Sequence, residues 1–306
     1  MQPLLNYFKH PNNLLDSMVL HWGQWLPDSV YISLRYHFQM GKRLNLKNPQ
    51  TFSEKLQWLK LYDQNPEYTR LVDKILVKDY VAKTIGSQYV IPLLGVWNKP
   101  EDIDWDLLPN QFVLKTNHSG GNTGVVICKD KSSFDRKAAI KKMNMSLHSD
   151  VYRNRREWPY KNVERKVFAE MYIEPSIGSQ DLLDYKFFCF NGVPKFCQVI
   201  SGRGTRMSID FFDSKWNHMP FHEPKSFPFA EVEPGKPVCF DEMLRLASQL
   251  AANKSFSRID FYDVNGKVYF GEITFYPTSG MGGGDPESYD KILGAMINLP
   301  NKHHNL

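Results

Sequence analysis

RIDFYDVNGKVYFGEIT, residues 258–274, is the stretch on which the fold turns. Two apolar-rich runs flank an Asn-Gly pair, the strongest short-range signal for a β-hairpin. Which side chains share a face depends on the turn. A two-residue Asn265-Gly266 turn pairs Val264 with Lys267 and sends Asp260 and Glu272 to opposite faces. A three-residue loop, Val264-Asn265-Gly266, pairs Asp263 with Lys267 and places Arg258 opposite Glu272. Asp at the first turn position and Gly at a left-handed bulge residue favour the second register. That register predicts one face carrying Arg258, Asp260, Phe270 and Glu272.

Two carboxylates on adjacent strands can grip one or two magnesium ions and leave positions for phosphate oxygens. Arg258 beside them suits a phosphate or a substrate carboxylate. The alternative is a cross-strand salt bridge between Arg258 and Glu272, with Asp260 near the turn at the surface. The next residues, YPTSGMGGGD (276–285), are rich in glycine, which suits backbone brought close to a ligand.

Upstream, DYKFFCFNGVPKFCQVI (184–200) repeats the hairpin signature around Asn191-Gly192. VFAEMYIE (167–174) reads as a strand. QFVLKT (111–116) and VVICKD (125–130) read as two strands joined by the Gly-rich turn HSGGNTG (118–124). A phosphate-binding loop of the GxxxxGK[ST] type is absent, and neither Gly-rich segment matches GxGxxG. HSGGNTG leads into a strand rather than a helix, so its backbone donors would sit at a hairpin tip. Such a hairpin, with Lys115 on the incoming strand, can fold over a triphosphate. Most Gly-rich hairpin tips, however, are simply tight turns.

The N-terminal third reads as helical. Turn breaks at Pro11, Pro27 and Pro49 divide residues 1–50 into short helices. Thr51 followed by Glu54 is a capping-box signature opening TFSEKLQWLKLYD. Leu71, Ile75, Val81 and Ile85 predict a second helix ending at Gly86. QYVIPLLGVW (88–97) reads as a strand with loops. Helices are also expected over 133–150 and 241–253.

With 306 residues the chain is long enough for about two domains. A net charge of +5 permits anionic partners without requiring them. The basic run RNRREW (153–158) reads as a solvated face, and nucleic acid is not expected as a partner. Cys128, Cys189, Cys197 and Cys239 form no CxxC or zinc-like spacing and read as reduced thiols of a cytoplasmic protein. No signal peptide or membrane helix is expected. LLDSMVLHWGQWL (14–26) reads as an amphipathic packing helix. His303 and His304 read as a solvated end.

These motifs occur in an order that resembles the ATP-grasp superfamily: a lysine strand with a Gly-rich lid, AEMYIE, DYK, Arg-x-Asp, then Glu-x-Thr. TFSEKLQWLKLYD, LVDKILVKDYV, LPNQFVLKTNHSGG and RIDFYDVNGKVYFGEITF resemble, more narrowly, the TupA-like ATP-grasp proteins over residues 45–300. Those proteins are named for teichuronopeptide synthesis and are associated with capsule and surface-polysaccharide genes. The resemblance implies an α+β ATP-grasp fold. Its parts would be a helical N-terminal region (1–104), a hairpin lid subdomain (105–172) and an antiparallel-sheet subdomain with the metal site (173–306).

It also implies roles, position by position. Lys115 would contact ATP phosphates from a lid that Gly120, Gly121 and Gly124 let close. Glu170, Met171, Tyr172 and Ile173 match the hinge that reads adenine, and Asp184 and Lys186 the strand meeting ribose and phosphate. Asp260 and Glu272 match the ligands of Mg2+. Thr274 stands where many ATP-grasp enzymes have a further ligand, Asn. Lys186, Arg258, Arg203 and His118 would face the γ-phosphate or acceptor, as would Arg206.

The implied reaction is an ADP-forming ligation that joins a sugar uronate carboxylate to an amino acid or amine through an acyl phosphate. A polysaccharide glycosyltransferase is an alternative, although Asp260 and Asp263 do not form a DxD motif. A non-catalytic ATP-binding assembly protein is another.

Overall fold

The computed structural model describes residues 11–121, 123–176, 182–202, 206–222, 227–282 and 286–301. Among the described residues α1 (Pro11–Trp22) comes first, and α2 (Asp28–Met40) directly follows Pro27, its N-cap. Proline's fixed φ suits a helix entry, where its missing N–H leaves no bond unmade. The capping box forms as expected on α3 (Phe52–Tyr62). Thr51 Oγ1 accepts from the Glu54 N–H at 3.2 Å, and Glu54 Oε2 accepts from the Thr51 N–H at 3.1 Å.

The helix expected across Leu71–Ile85 is instead two, α4 (Glu67–Val72) and α5 (Val77–Thr84). Asp73 makes the break. Its Oδ1 accepts from the N–H groups of Ile75 (2.8 Å) and Leu76 (3.1 Å), and its Oδ2 accepts from Asn117 Nδ2 at 2.8 Å. A short acidic side chain that captures the backbone donors ahead of it competes with helix continuation.

The first sheet contains β1 (Leu93–Trp97), β2 (Phe112–Thr116), β3 (Val125–Cys128) and β4 (Val167–Met171). It is antiparallel, in the order β1-β4-β2-β3. β1, within the 1–104 span, therefore pairs with a strand of the 105–172 span. Between β3 and β4 run α6 (Arg136–His148) and the short α7 (Val151–Arg155). Along β2 the burial alternates: Phe112, Leu114 and Thr116 are buried, whereas Val113 and Lys115 are half-exposed. Phe112 and Leu114 share a core with Ala139 and Met143 of α6 and with Val167 and Ala169 of β4.

The second sheet is also antiparallel, in the order β7-β6-β5-β8-β9. It contains β5 (Asp184–Phe190), β6 (Val193–Ser201), β7 (Ser208–Asp213), β8 (Phe256–Val264) and β9 (Lys267–Thr274), with β7 the one strand the patterning did not signal. α8 (Phe240–Ala251) buries Phe240, Met243, Leu246 and Leu250 in the core that also holds Phe187, Ile259 and Phe261. α9 (Ser288–Ala295) packs on α3.

The β8–β9 hairpin corrects the expected register. Val264 pairs with Lys267, so the turn is the two-residue Asn265-Gly266. Both φ angles are positive, at 53° and 80°, as a type I′ turn requires. By itself this register would part the two acids. A β-bulge between Asp260 and Phe261 leaves Gly271 without a partner and shifts the pairing by one. Asp260 then lies opposite Glu272, Arg258 opposite Thr274, and Phe270 opposite Phe261 in the core. A side chain at Gly271 would bring its Cβ to 3.1 Å from the Asp260 carbonyl oxygen, so glycine suits the bulge.

Candidate functional site

Between the two sheets lies a cleft of about 330 Å³. Strand alternation supplies its walls. From the first sheet come Val113 and Lys115 of β2 and Phe168, Glu170 and Met171 of β4. From the second come Asp184 and Lys186 of β5, Asp260 and Tyr262 of β8, and Glu272 of β9. Apolar side chains (Ile91, Val113, Ile127, Phe168, Ile173 and Leu182) interleave with five lysines (74, 78, 115, 129 and 186) and four carboxylates: Val113 pairs with Glu170 and Phe168 with Lys115 across the strands.

In the first sheet Glu170 sits between two ammonium groups. Lys115 bonds its Oε1, and Lys78 donates to its Oε2 at 3.0 Å and to the Ile91 carbonyl at 2.7 Å. Burial would raise the Glu170 pKa, but Lys115 and Lys78 outweigh it and hold the carboxyl below its ordinary value. Lys78 goes the other way: burial lowers its pKa despite Glu170, because it has one carboxylate against Lys115's repulsion. The backbone of Met171 donates to the Pro92 carbonyl at 3.1 Å, and Tyr172 and Ile173 continue along the cleft wall.

In the second sheet the acids are held by cations. Lys186 bonds Asp260 and stands 3.8 Å from Asp184. Arg258 is bidentate on Asp260, at 2.7 and 2.8 Å, and reaches Glu272 at 2.9 Å and Thr274 Oγ1 at 3.1 Å. Lys74 lies 3.6 Å from the second oxygen of Glu272. Burial would raise the Glu272 pKa, but Lys74, Arg258 and Lys186 bring it down to about 2. The Arg258–Glu272 salt bridge therefore exists, but within a network that also takes in Asp260, itself 2% exposed and not a surface acid.

Asp260 and Glu272, adjacent on one face, suit a divalent cation that takes its other ligands from phosphate and water, the usual manner of Mg2+. Thr274 Oγ1 lies 3.3 Å from Glu272 Oε1 and is occupied by Arg258. No cluster of three or more acidic, His or Cys ligands occurs among the described residues. Such an ion would thus need the nucleotide to complete its shell.

The glycines of the 118–124 segment are placed unevenly. Gly121 lines the cleft. Gly120 is exposed, and a Cβ on Gly124 would strike the hydroxyls of Thr116, Ser119 and Ser146. His118 is 2% exposed and does not line the cleft. Its Nε2 lies 3.2 Å from the Ser149 carbonyl, and burial, then Arg165, lowers its pKa. Arg206 pairs with Glu231 at the surface. Arg203, His303 and His304 lie outside the described residues.

Lys74 and Lys78 were not singled out by sequence. Lys74 sits in the turn that Asp73 creates, and its Nζ also donates to the Ser119 carbonyl at 2.6 Å, tying this turn to the segment after β2. The signal for it was Asp73 itself, an N-capping residue inside a helical pattern. The basic run 153–158 is likewise not simply solvated. Arg156 and Glu157 are 4% and 5% exposed, and the Arg156 guanidinium stacks on Tyr31 at 4.1 Å. All four cysteines are free and buried. No helix among the described residues is long and apolar enough to cross a membrane.

A family model described as TupA-like ATPgrasp matches residues 54–298. No protein of curated function matches the sequence. Among solved structures, D-alanine–D-alanine ligase from Bacillus anthracis is similar at 18% identity and a TM-score of 0.39, over 67% of this chain and 57% of its own. The Helicobacter pylori D-alanine–D-alanine ligase is similar at 16% identity and a TM-score of 0.41, over 82% of this chain and 70% of its own. A RimK domain ATP-grasp protein from Sphaerobacter thermophilus shares 11% identity at a TM-score of 0.41, over 75% of this chain and 69% of its own. The chain thus spans little more than half the length of the first of these.

Proposed function

The chain belongs to the TupA-like ATP-grasp family, and from that premise we propose that it is an ATP-dependent, ADP-forming carboxylate–amine ligase. The observation that carries the proposal is the opposition of two charged sheet faces across one cleft. Lys115, Lys78 and Glu170 stand on one side, and Lys186, Arg258, Asp260 and Glu272 on the other. The apolar side chains of Val113, Ile127, Phe168 and Ile173 suit adenine, beside the Glu170–Ile173 hinge, and Asp184 would meet the ribose. Over the whole cleft five lysines and Arg258 outnumber four carboxylates, an excess that suits a triphosphate.

Asp260 and Glu272, with Thr274 beside them, would hold Mg2+, which when bound supplies positive charge to the phosphate oxygens. The rest is the work of the chain. An acceptor carboxylate attacks the γ-phosphorus, ADP leaves, and an acyl phosphate forms. Lys186, Arg258 and Lys74 neutralise the charge that develops on the phosphoryl oxygens. An amine then attacks the acyl carbon and phosphate departs. The 118–124 turn covers the cleft and keeps out water that would hydrolyse the acyl phosphate. His118, held inside the lid, supports the turn.

Given the polysaccharide setting for which the family is named, the acceptor in this reading is a sugar uronate and the amine an amino acid or small amine, joined in capsule or surface-polysaccharide synthesis. The buried reduced thiols favour a cytoplasmic setting. Residues 105–172 would act as the lid and 173–306 as the carboxylate-bearing half.

Purified protein incubated with ATP, Mg2+, uronates and amines tests the reading: ADP release that depends on both acceptors is expected. UDP release from a nucleotide sugar would move the assignment to a glycosyltransferase. Nucleotide binding without turnover under any acceptor pair would leave an ATP-binding assembly protein.

A further inference from the structure

A second cavity, of about 240 Å³, opens where α2, the end of α7 and the segment after β9 meet. Its lining is mostly polar and includes Arg35, Gln39, Arg155, Thr278 and Ser279. The backbone here is strained. Thr278 and Ser279, neither of them glycine, have φ of 48° and 56°. Such conformations cost on the order of 1–3 kcal/mol each and persist only where the surroundings enforce them, most often at ligand sites.

Two buried side chains of α3 do the enforcing. Gln57 Nε2 donates to the carbonyls of Ser279 (3.0 Å) and Gly280 (2.8 Å). Lys60 Nζ donates to the Ser279 carbonyl (2.6 Å), to Ser279 Oγ (2.8 Å) and to the Arg155 carbonyl (3.2 Å). Lys60, 2% exposed, thus ties together the two walls of the cavity. Burial lowers its pKa to about 7 even with Glu157 nearby.

The cations of this cavity are not equivalent. Arg35 is consumed by structure: it holds Asp16 at 2.8 and 2.9 Å and the Asn154 carbonyl at 2.7 Å. Arg155 is exposed, and its guanidinium has no hydrogen-bond or ion-pair partner among the described residues. One wall of the cavity, Thr278 and Ser279, belongs to the segment that follows β9, the strand of Glu272 and Thr274. The charges of Glu157, Glu272, Arg155 and Arg258 all act on Tyr160. Ser279 follows Thr274 by five residues.

We propose that this cavity is the docking site of a small carboxylate substrate, about one sugar ring or one amino acid in size, with Arg155 as the residue that recognises its anion. The assignment of that carboxylate as a substrate rests on the ligase reading above; the site itself does not. An unpaired guanidinium offers a carboxylate two parallel donors. Thr278 Oγ1 donates to the Pro277 carbonyl (2.7 Å), Ser279 Oγ accepts from Lys60 (2.8 Å) and Gln39 Nε2 donates to Asp16 (3.0 Å), so recognition of the anion falls to Arg155. Gln57 and Lys60 act as positioning residues through the strained backbone.

Saturation-transfer NMR with the full chain tests this, using glucuronate and L-alanine as carboxylate probes and glucose and L-alaninamide as their uncharged counterparts. Wild type is expected to bind glucuronate or L-alanine and neither counterpart; which one binds tells a sugar from an amino-acid substrate. Arg155→Gln is expected to weaken that binding about 10- to 100-fold, with Arg155→Lys in between. Affinity for a fluorescent ATP analogue and the melting temperature should not change. The proposal is overturned if neither carboxylate binds, if Arg155→Gln binds as well as wild type, or if it weakens the ATP analogue equally. Arg155-dependent carboxylate binding without ADP release under any acceptor pair would sink the ligase reading and leave the site standing.

Discussion

Glu170 is a residue whose charge is set by its neighbours. Its carboxyl lies below the ordinary value of 4.5, because Lys115 and Lys78 outweigh its burial. Between the lowered native pKa and 4.5 the unfolded chain binds more protons than the native one. Stability therefore rises with pH across that window and falls as acid is added through it. Glu170→Gln is expected to cost about 3 kcal/mol at pH 7, since it leaves buried Lys78 without its carboxylate. The gap from wild type should narrow as the pH drops below 4.5, as read by urea unfolding at pH 7, 4 and 3. An equal gap at all three would refute the charge balance. At the other face, Glu272→Gln is expected to lower ATP turnover by at least about 100-fold while the circular dichroism spectrum and cooperative melt persist. Asp260 and Glu272 were legible as candidates from type and spacing alone, and Lys186 through the family resemblance. Lys74 was not, because its place depends on a turn that only Asp73's hydrogen bonds create.

Among the elements, α3 has two tasks. It caps itself through Thr51 and Glu54, and it presents Gln57 and Lys60 to the segment after β9. Thr51→Ala should cost about 1 kcal/mol, measured as a shift in urea midpoint with unchanged slope. The β8–β9 hairpin shows how an element can reach the expected face by another route. Its turn is the two-residue one that, unaided, separates the acids, and the bulge at Gly271 reunites them. Gly271→Val, which sets a Cβ against the Asp260 carbonyl and crowds Tyr262, should lower both the melting temperature and nucleotide affinity. Unchanged nucleotide affinity would show that the bulge does not govern the site. The Gly at 271 was visible in the sequence. Whether it would form a bulge was not, because a strand glycine is compatible with either register.

On the scale of the whole molecule, the cleft exists only because two sheets oppose their charged faces, with α6 covering the far side of the first and α8 that of the second. Wild type with Mg2+ and ATP at 100 times Kd should gain about 2.7 kcal/mol of stability, visible as a rise of several degrees in melting temperature. That gain should shrink in Lys186→Ala measured at the same ATP concentration. An equal gain in the two proteins would remove Lys186 from the nucleotide contacts.

Strand periodicity, Asn-Gly turns and the capping box are local, so the sequence by itself determined the two hairpins, the α3 start and the family resemblance. Pairing across long separations is not local. Lys78 meets Glu170 and Lys74 meets Glu272 only after α4 and α5 pack beside both sheets. The meeting of α3, Arg155 and Ser279 at the second cavity joins residues about 95 and 219 positions from Lys60. These contacts were decided by tertiary structure, because buried polar groups take whichever partners the packed core brings within reach.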